Sequence, residues 1–415
     1  MNRKLTRIKK YEDLGIGLFI HWGLYSQLKV GEWTEYIHHR DKREYEQLIN
    51  KFNAEEFDAD YLVSNAKKMG AKYIVLTTKH HEGFFLYDTK GLSKFDAIHS
   101  PAKRDIIKEF INACNKQKIK PFLYMATYDW HSDLYQNDFE GYLNYLLESV
   151  RILCTNYGPI GGFWFDGDWN KKDANWKLDR LYGMIRKYQP NAIIVNNTGL
   201  KSRGKISNPE IDVVTYERKT PDQVNHGFGG KYVAGEASIT MNQHWGFAKN
   251  DVNFKSTKEI VENIVHARGI GANILLNIGL TGTGEIPIMN QAIMEQVGKW
   301  VNMANESLYE TRPKQELRAS GNTKDVVLQN KSKNSIYLFI HDLKIVGNEN
   351  VVLGGEGINL RSFSGIFKEI KKITWLDNGE SVPFMQDKNK GILTIDAGGY
   401  TYGTDWCVRV AKINF

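Results

Sequence analysis

Between Gly17 and Asn277, eight short apolar runs rich in β-branched and aromatic residues alternate with segments of helical periodicity. No other feature constrains the fold as tightly. The runs are Gly17–Gly23, Tyr73–Thr78, Pro121–Met125, Gly161–Asp166, Ala192–Asn197, Ile211–Glu217, Tyr232–Glu236 and Ala272–Asn277. Helical spacing marks Asp58–Met69, Asp105–Gln117, Phe139–Tyr157, Leu178–Tyr188, Thr257–Arg268 and Ile288–Met303, with Gly70 and Gly269 as stop signals. Apolar strands separated by amphipathic helices pair in parallel and bury both faces. Eight such units favour an α/β fold that closes as a (β/α)8 TIM-like barrel, irregular because no good helix follows the sixth run near Lys219–Lys231. No Gly-x-Gly-x-x-Gly or P-loop follows the first run, which argues against a dinucleotide-binding sheet.

Beyond about Asn305 the pattern changes to short strands and turns. Val326–Leu328, Ser335–His341, Val351–Leu353, Ile370–Leu376, Ile392–Ile395 and Cys407–Ala411 read as strands, with Asn378-Gly379 and Gly398-Gly399 as turns. The expected organisation is a catalytic barrel over residues 1–305 and a small C-terminal β-sandwich over 306–415.

In a barrel of this kind chemistry gathers at the C-terminal ends of the strands. Those ends carry His21, His80 with His81, Tyr124, Asp166, Asn196, Glu217, Glu236 and Asn277. A full ring of polar ends above apolar strand bodies is a site, not a core. Within it, alternation along Gly161-Gly162-Phe163-Trp164-Phe165-Asp166-Gly167-Asp168-Trp169 puts Gly162, Trp164 and Asp166 on one face. A carboxylate beside an aromatic plane and two glycines suits the close approach of a small polar ligand. Asp168 falls past the strand end, where it caps the following turn.

Metal-assisted hydrolysis could draw on His21, His80, His81 and Asp166. Adjacent strand residues point to opposite faces, however, and no His-x-His spacing is present. No nucleophile elbow or suitably placed thiol occurs either. Paired carboxylates without a phosphate loop or cofactor motif point to glycoside hydrolysis. The aromatic content, 12% with 10 Trp and 21 Tyr, suits flat apolar faces that stack on sugar rings.

Composition narrows the alternatives. The net charge of +7 comes from lysines scattered over all 415 residues, which gives a solvated surface and no nucleic-acid-binding stripe. Three separated cysteines write neither a disulfide framework nor a zinc site. The run Ile16–Phe19 after the basic Met1–Gly15 is too short for a signal peptide or membrane span, so a cytoplasmic protein is expected. No feature of the sequence specifies an oligomeric state.

The chain resembles the α-L-fucosidases of glycoside hydrolase family 29. The matching stretches are Phe19–Gly23, Gly31-Glu32-Trp33, Lys79–Phe84, Arg104-Asp105, Tyr124 with Asp129-Trp130, Trp164–Gly167, Asn242–Phe247 and Gly271–Gly279. They fall in the family's order over about residues 15–310, and a β domain after them fits its layout. The resemblance implies a retaining, exo-acting enzyme that releases terminal α-L-fucose from a fucosylated oligosaccharide or glycoconjugate without metal or other cofactor. It makes Asp166 the nucleophile and His21, Glu32, Trp33, His80, His81, Tyr124 and Trp164 substrate-binding residues. Glu217 stands where the family places its acid/base, with Glu236 as the alternative. Asn196-Asn197-Thr198 departs from a family segment that carries a substrate-contacting arginine; Arg203 and Arg218 are the candidates to replace it. A related sugar such as α-L-galactose, and a catalytically silent sugar-binding protein, are the competing readings.

Overall fold

Strands β1 (Ile16–His21), β2 (Tyr73–Lys79), β3 (Lys120–Ala126), β4 (Gly162–Asp166), β5 (Ile193–Asn197), β6 (Val213–Glu217), β7 (Ala234–Thr240) and β8 (Asn273–Gly279) pair in chain order, and β8 returns to β1 to close a barrel. Every pairing is parallel. The computed structural model from which this is read describes residues 4–227, 230–321, 323–354 and 359–415.

The chain divides into two compact units: Met1–Phe254 with Asn273–Glu295, and Lys255–Ala272 with Gln296–Phe415. In the first, alternation fixes what faces the barrel interior. Phe19, Val75, Tyr124, Trp164, Val195, Val213 and Leu275 meet in one buried cluster, while Phe163 and Phe165 face outward. Two glycines make room for rings at the base. A Cβ on Gly17 would stand 2.4 Å from Tyr73 Cζ, and one on Gly162 would stand 2.3 Å from Phe122 Cε1. Crossover helices start where expected: Asp58 caps Ala59–Met69 by accepting from the Tyr61 amide at 2.9 Å, and Asp105 caps Ile106–Gln117 from the Lys108 amide at 3.0 Å. A helix the sequence reading missed, Thr6–Leu14, buries Ile8 and Tyr11 against Tyr73, Phe122, Ile193 and Ala234. It closes the N-terminal mouth of the barrel. Between Glu217 and Ala234 the described residues form no helix, as expected; residues 228 and 229 of that stretch lie outside them.

The seventh strand differs from expectation. It begins at Ala234 and runs to Thr240, so Glu236 lies inside it and not at its end. Ala, Gly and Ser disguise the strand, whose register comes from pairing Glu236–Thr240 with Asn273–Asn277.

The second unit contains the helix Thr257–Gly269, opened by a Ser256–Glu259 capping box, and two antiparallel sheets among the described residues. One orders Arg318–Ala319, Leu360–Ser364, Ile392–Asp396 and Phe384–Asp387; the other orders Lys372–Trp375, Arg409–Asn414, Ser335–Ile340, Val326–Asn330 and Thr311–Arg312. Leu338, Ile340, Phe363, Leu393, Ile395 and Ile413 form the core these sheets share. Val351–Leu353, expected as a strand, is instead a turn with Val351 and Leu353 exposed. Short apolar runs without a partner strand do not hold an extended backbone. Among the described residues no helix is long and apolar enough to cross a membrane.

Candidate active site

A cavity of about 520 Å³ opens at the C-terminal ends of the strands. Its walls include Phe19, His21, Glu32, Trp33, His80, Tyr124, Trp164, Asp166, Glu217 and Trp245, so eight of the ten predicted site residues meet there. His81 and Glu236 do not line it.

Asp166 ends β4 and accepts four contacts. Trp169 Nε1 donates to Oδ1 at 2.8 Å, Asn197 Nδ2 to the same oxygen at 3.0 Å, and Tyr124 Oη to Oδ2 at 3.0 Å. His81 Nε2 lies 3.3 Å from Oδ2. Burial alone would raise its pKa, but the nearby His81 ring and the bonds from Trp169 and Tyr124 outweigh that and hold it below the ordinary carboxylate value. His81 is therefore a neighbour of the carboxylate and stands behind it. Its Nδ1 donates to the Tyr128 carbonyl at 2.9 Å, which aims Nε2 at Asp166.

Glu217 ends β6, two residues past inward-facing Thr215, and its Oε2 accepts from Asn197 Nδ2 at 3.0 Å. One amide nitrogen thus lies 3.0 Å from an oxygen of each carboxylate. The two oxygens can be no further apart than twice that distance. Burial, then the negative charge of Asp166, raises the Glu217 pKa. The same neighbourhood pushes the two carboxylates in opposite directions.

Two of the imidazoles, His21 and His80, are neutral. Burial lowers the His21 pKa to about 3, although the bond to Asn277 opposes it, and drives His80 well below its ordinary value. His21 Nδ1 donates to Asn277 Oδ1 at 2.6 Å, while the Asn277 amide donates to the Trp245 carbonyl at 2.8 Å. That leaves the lone pair of His21 Nε2 facing the cavity. His80 stacks on Tyr124, ring centroids 5.5 Å apart, and keeps a buried Nδ1 without a partner. Glu32 Oε2 accepts from the Gly246 amide at 2.8 Å and so joins the first loop to the segment carrying Trp245. Trp33 lies over Trp169 at 6.1 Å on the rim.

Glu236 is wholly buried and accepts from Tyr11 Oη, from Tyr73 Oη at 2.7 Å, and from Trp164 Nε1 at 2.9 Å. Asp168 opens a short 3-10 turn and accepts from Asn196 Nδ2 at 2.7 Å; burial raises its pKa to about 6. Arg203 does not line the cavity but clasps the Leu200 carbonyl at 2.8 Å, whereas Arg218 lines it and lies 5.1 Å from the Trp245 ring centroid. Among the described residues no group of three or more His, Cys, Asp or Glu side chains is arranged to hold a metal ion.

Sequence reasoning missed Asn197, Trp169, Trp245 and Phe19. For Asn197 a signal existed: Ile193 and Val195 face inward, so alternation carries Asn197 inward and Asn196 outward to Asp168 and Ser207. Asn197 is also the register partner of Asp166.

The family model for alpha-L-fucosidase matches residues 2–306. Human plasma alpha-L-fucosidase is 27% identical over 88% of this chain and 86% of its own. Alpha-L-fucosidase isoenzyme 1 from Paenibacillus thiaminolyticus superposes with a TM-score of 0.83 at 29% identity, covering 99% of this chain and 98% of that one. An alpha-L-fucosidase from Bacteroides thetaiotaomicron shares the fold at a TM-score of 0.81 and 24% identity, over 100% of this chain and 95% of that one. A match across the whole barrel segment, meeting the site at the ends of its strands, means that the chain belongs to the alpha-L-fucosidase family.

Proposed function

We infer that the protein is an exo-acting, retaining α-L-fucosidase that removes terminal α-L-fucose from fucosylated oligosaccharides or glycoconjugates. Residues 1–305 are taken as the catalytic part and 306–415 as an accessory β part. The observation that carries the reading is the bridging of Asp166 and Glu217 by Asn197 Nδ2, 3.0 Å from each. Retaining glycosidases need their carboxyl groups about 5–5.5 Å apart, whereas inverting enzymes leave about 6.5–9.5 Å for a water.

Asp166, held ionised, attacks the anomeric carbon while Glu217, held protonated, donates its proton to the departing glycosidic oxygen. The C1–O bond breaks, a C1–Oδ ester to Asp166 forms, and the aglycone leaves as a neutral alcohol. Glu217, now ionised, takes a proton from water, whose oxygen displaces Asp166 at C1. Neutral His21 and His80 accept or donate to sugar hydroxyls without adding charge beside the oxocarbenium-like transition state. Trp164, Phe19 and Trp245 offer apolar faces to the ring and its methyl group. Glu32 and Trp33 close the rim, Tyr124 and His81 orient the nucleophile, and Glu236 is assigned to support of Trp164 in preference to proton transfer.

The test is turnover of 4-nitrophenyl α-L-fucoside followed by NMR from the first seconds. α-L-Fucose as the first-formed sugar is expected. β-L-Fucose appearing first would refute the double displacement, and no turnover would refute the fucosidase reading.

A further inference from the structure

The cavity does not end at the sugar site. A second hollow of about 360 Å³ shares Trp169, Lys172, Thr198 and Ser202 with it, so one cleft runs from Asp166 outward between the turn after β4 and the loop after β5. The two parts differ in character. The inner wall is buried rings and imidazoles, enough for one small sugar. The outer wall belongs to the segment that holds Glu217: Arg203 Nε donates to the Glu217 carbonyl, and the Gly204 amide donates to the Thr215 carbonyl at 3.1 Å. Because Glu217 protonates the leaving oxygen, the aglycone must depart along this wall.

The wall is cationic. Lys172 and Lys201 line the inner cavity mouth and Lys205 the outer hollow, all exposed, and among the described residues none of these ammonium groups has a hydrogen bond or ion pair. Arg218 adds a fourth positive charge at the mouth. In the outer hollow Lys205 acts electrostatically on Asp168, so among the described residues the ammonium groups of this cleft that face no carboxylate partner are Lys172 and Lys201 at the inner mouth. Asp168 accepts from Asn196 and Asp179 accepts from Asn208 at 2.7 Å, while Lys177 is paired with Glu140 at 2.6 Å. Unpaired ammonium groups offer donors and charge but no acceptor, which matches an anionic group better than the mixed donors and acceptors of neutral sugar hydroxyls.

We propose that this cleft is the aglycone subsite and that it selects an acidic leaving glycan, one bearing a carboxylate or sulfate on the sugar from which fucose is removed. The proposal rests on the fucosidase reading above. Three disaccharides of one linkage test it with the full chain: fucose on galactose, on galacturonate, and on sulfated galactose. At low ionic strength kcat/KM for at least one acidic substrate should exceed the neutral one by about fivefold, and about 0.5 M salt should erase the difference. Gain with both anions assigns the selection to charge, and gain with one identifies the group. In the Lys172→Gln/Lys201→Gln variant the acidic-to-neutral ratio should fall towards one, with folding checked by circular dichroism. Equal rates for all three, a neutral preference, or a ratio untouched by the double substitution would overturn the proposal. Failure on all three disaccharides and on 4-nitrophenyl α-L-fucoside would instead overturn the fucosidase reading.

Discussion

The Trp164 indole N–H donates to Glu236 Oε1 across 2.9 Å, inside the barrel and out of reach of solvent. The bond fixes the plane of the ring that walls the sugar cavity, and Tyr11 and Tyr73 hold the other carboxylate oxygen. Glu236→Gln can present only one acceptor to these donors. An expected fall of about tenfold in kcat/KM follows from the loosened ring. The factor should be the same for aryl fucosides with good and poor leaving groups. A loss confined to poor leaving groups would reassign the proton donor to Glu236. The same variant changes the pH dependence of stability. Burial holds the Glu236 pKa above its ordinary value against its three donors. The folded state thus binds a proton the unfolded chain has lost, and wild-type stability falls as pH rises from about 4.3 through the raised value. Urea unfolding across that window should show this slope in the wild type and lose it in the variant.

Asp166→Gly removes the group that forms the ester. Hydrolysis of an aryl α-L-fucoside should drop on the order of 10⁴-fold, while thermal unfolding stays cooperative. Added azide should then restore turnover as β-L-fucosyl azide. Activity near that of the wild type would dismiss Asp166 as nucleophile.

For Glu217, leaving-group dependence is the discriminating measurement. Glu217→Ala should cost about 10²–10⁴-fold with a poor leaving group and much less with 2,4-dinitrophenol. The pH profile supplies a second readout. With Asp166 lowered and Glu217 raised, kcat/KM should rise as Asp166 ionises and fall as Glu217 loses its proton. Removing Glu217 should flatten the alkaline limb only.

Lys79 and Asp129 form an ion pair at 2.6 Å with both side chains 1% exposed. Asp129 also accepts from the His131 and Ser132 amides at 2.9 and 2.8 Å, and so shapes the loop in which the Trp130 amide bonds the His81 carbonyl at 2.7 Å. Lys79→Met strands a buried carboxylate and should cost about 3–5 kcal/mol in urea unfolding. Adding Asp129→Asn should recover part of that loss; no recovery would mean that Lys79 acts through packing.

Much of the barrel and of its catalytic end was legible in the sequence because strand periodicity survives in single residues. Gly162, Trp164 and Asp166 share a face by counting in twos, as do Val213, Thr215 and Glu217. The seventh strand resisted because Ala, Gly and Ser carry little strand signal of their own. Trp169 and Trp245 were hidden for another reason: each reaches the cavity from a loop, where position depends on tertiary bonds and not on period. Asn197 is readable as well: Ile193 and Val195 face inward, and counting on in twos reaches Asn197, one residue past the Asn196 in the ring of strand ends.

The helix Thr6–Leu14 has a consequence for how the molecule assembles. Tyr11 meets Glu236 across 225 residues of chain, and its carbonyl receives the Asn273 amide across 262. The helix that precedes the first barrel strand finds its partners on the last two barrel strands. Contacts so distant in sequence are slow to form and gain nothing until the intervening loops have closed. A nascent chain stopped before Ala234 would already hold Asp166, Asn197 and Glu217, yet nothing would anchor the indole of Trp164. The sugar pocket therefore matures only when the ring shuts, and a half-barrel should be inert however well its own strands pair.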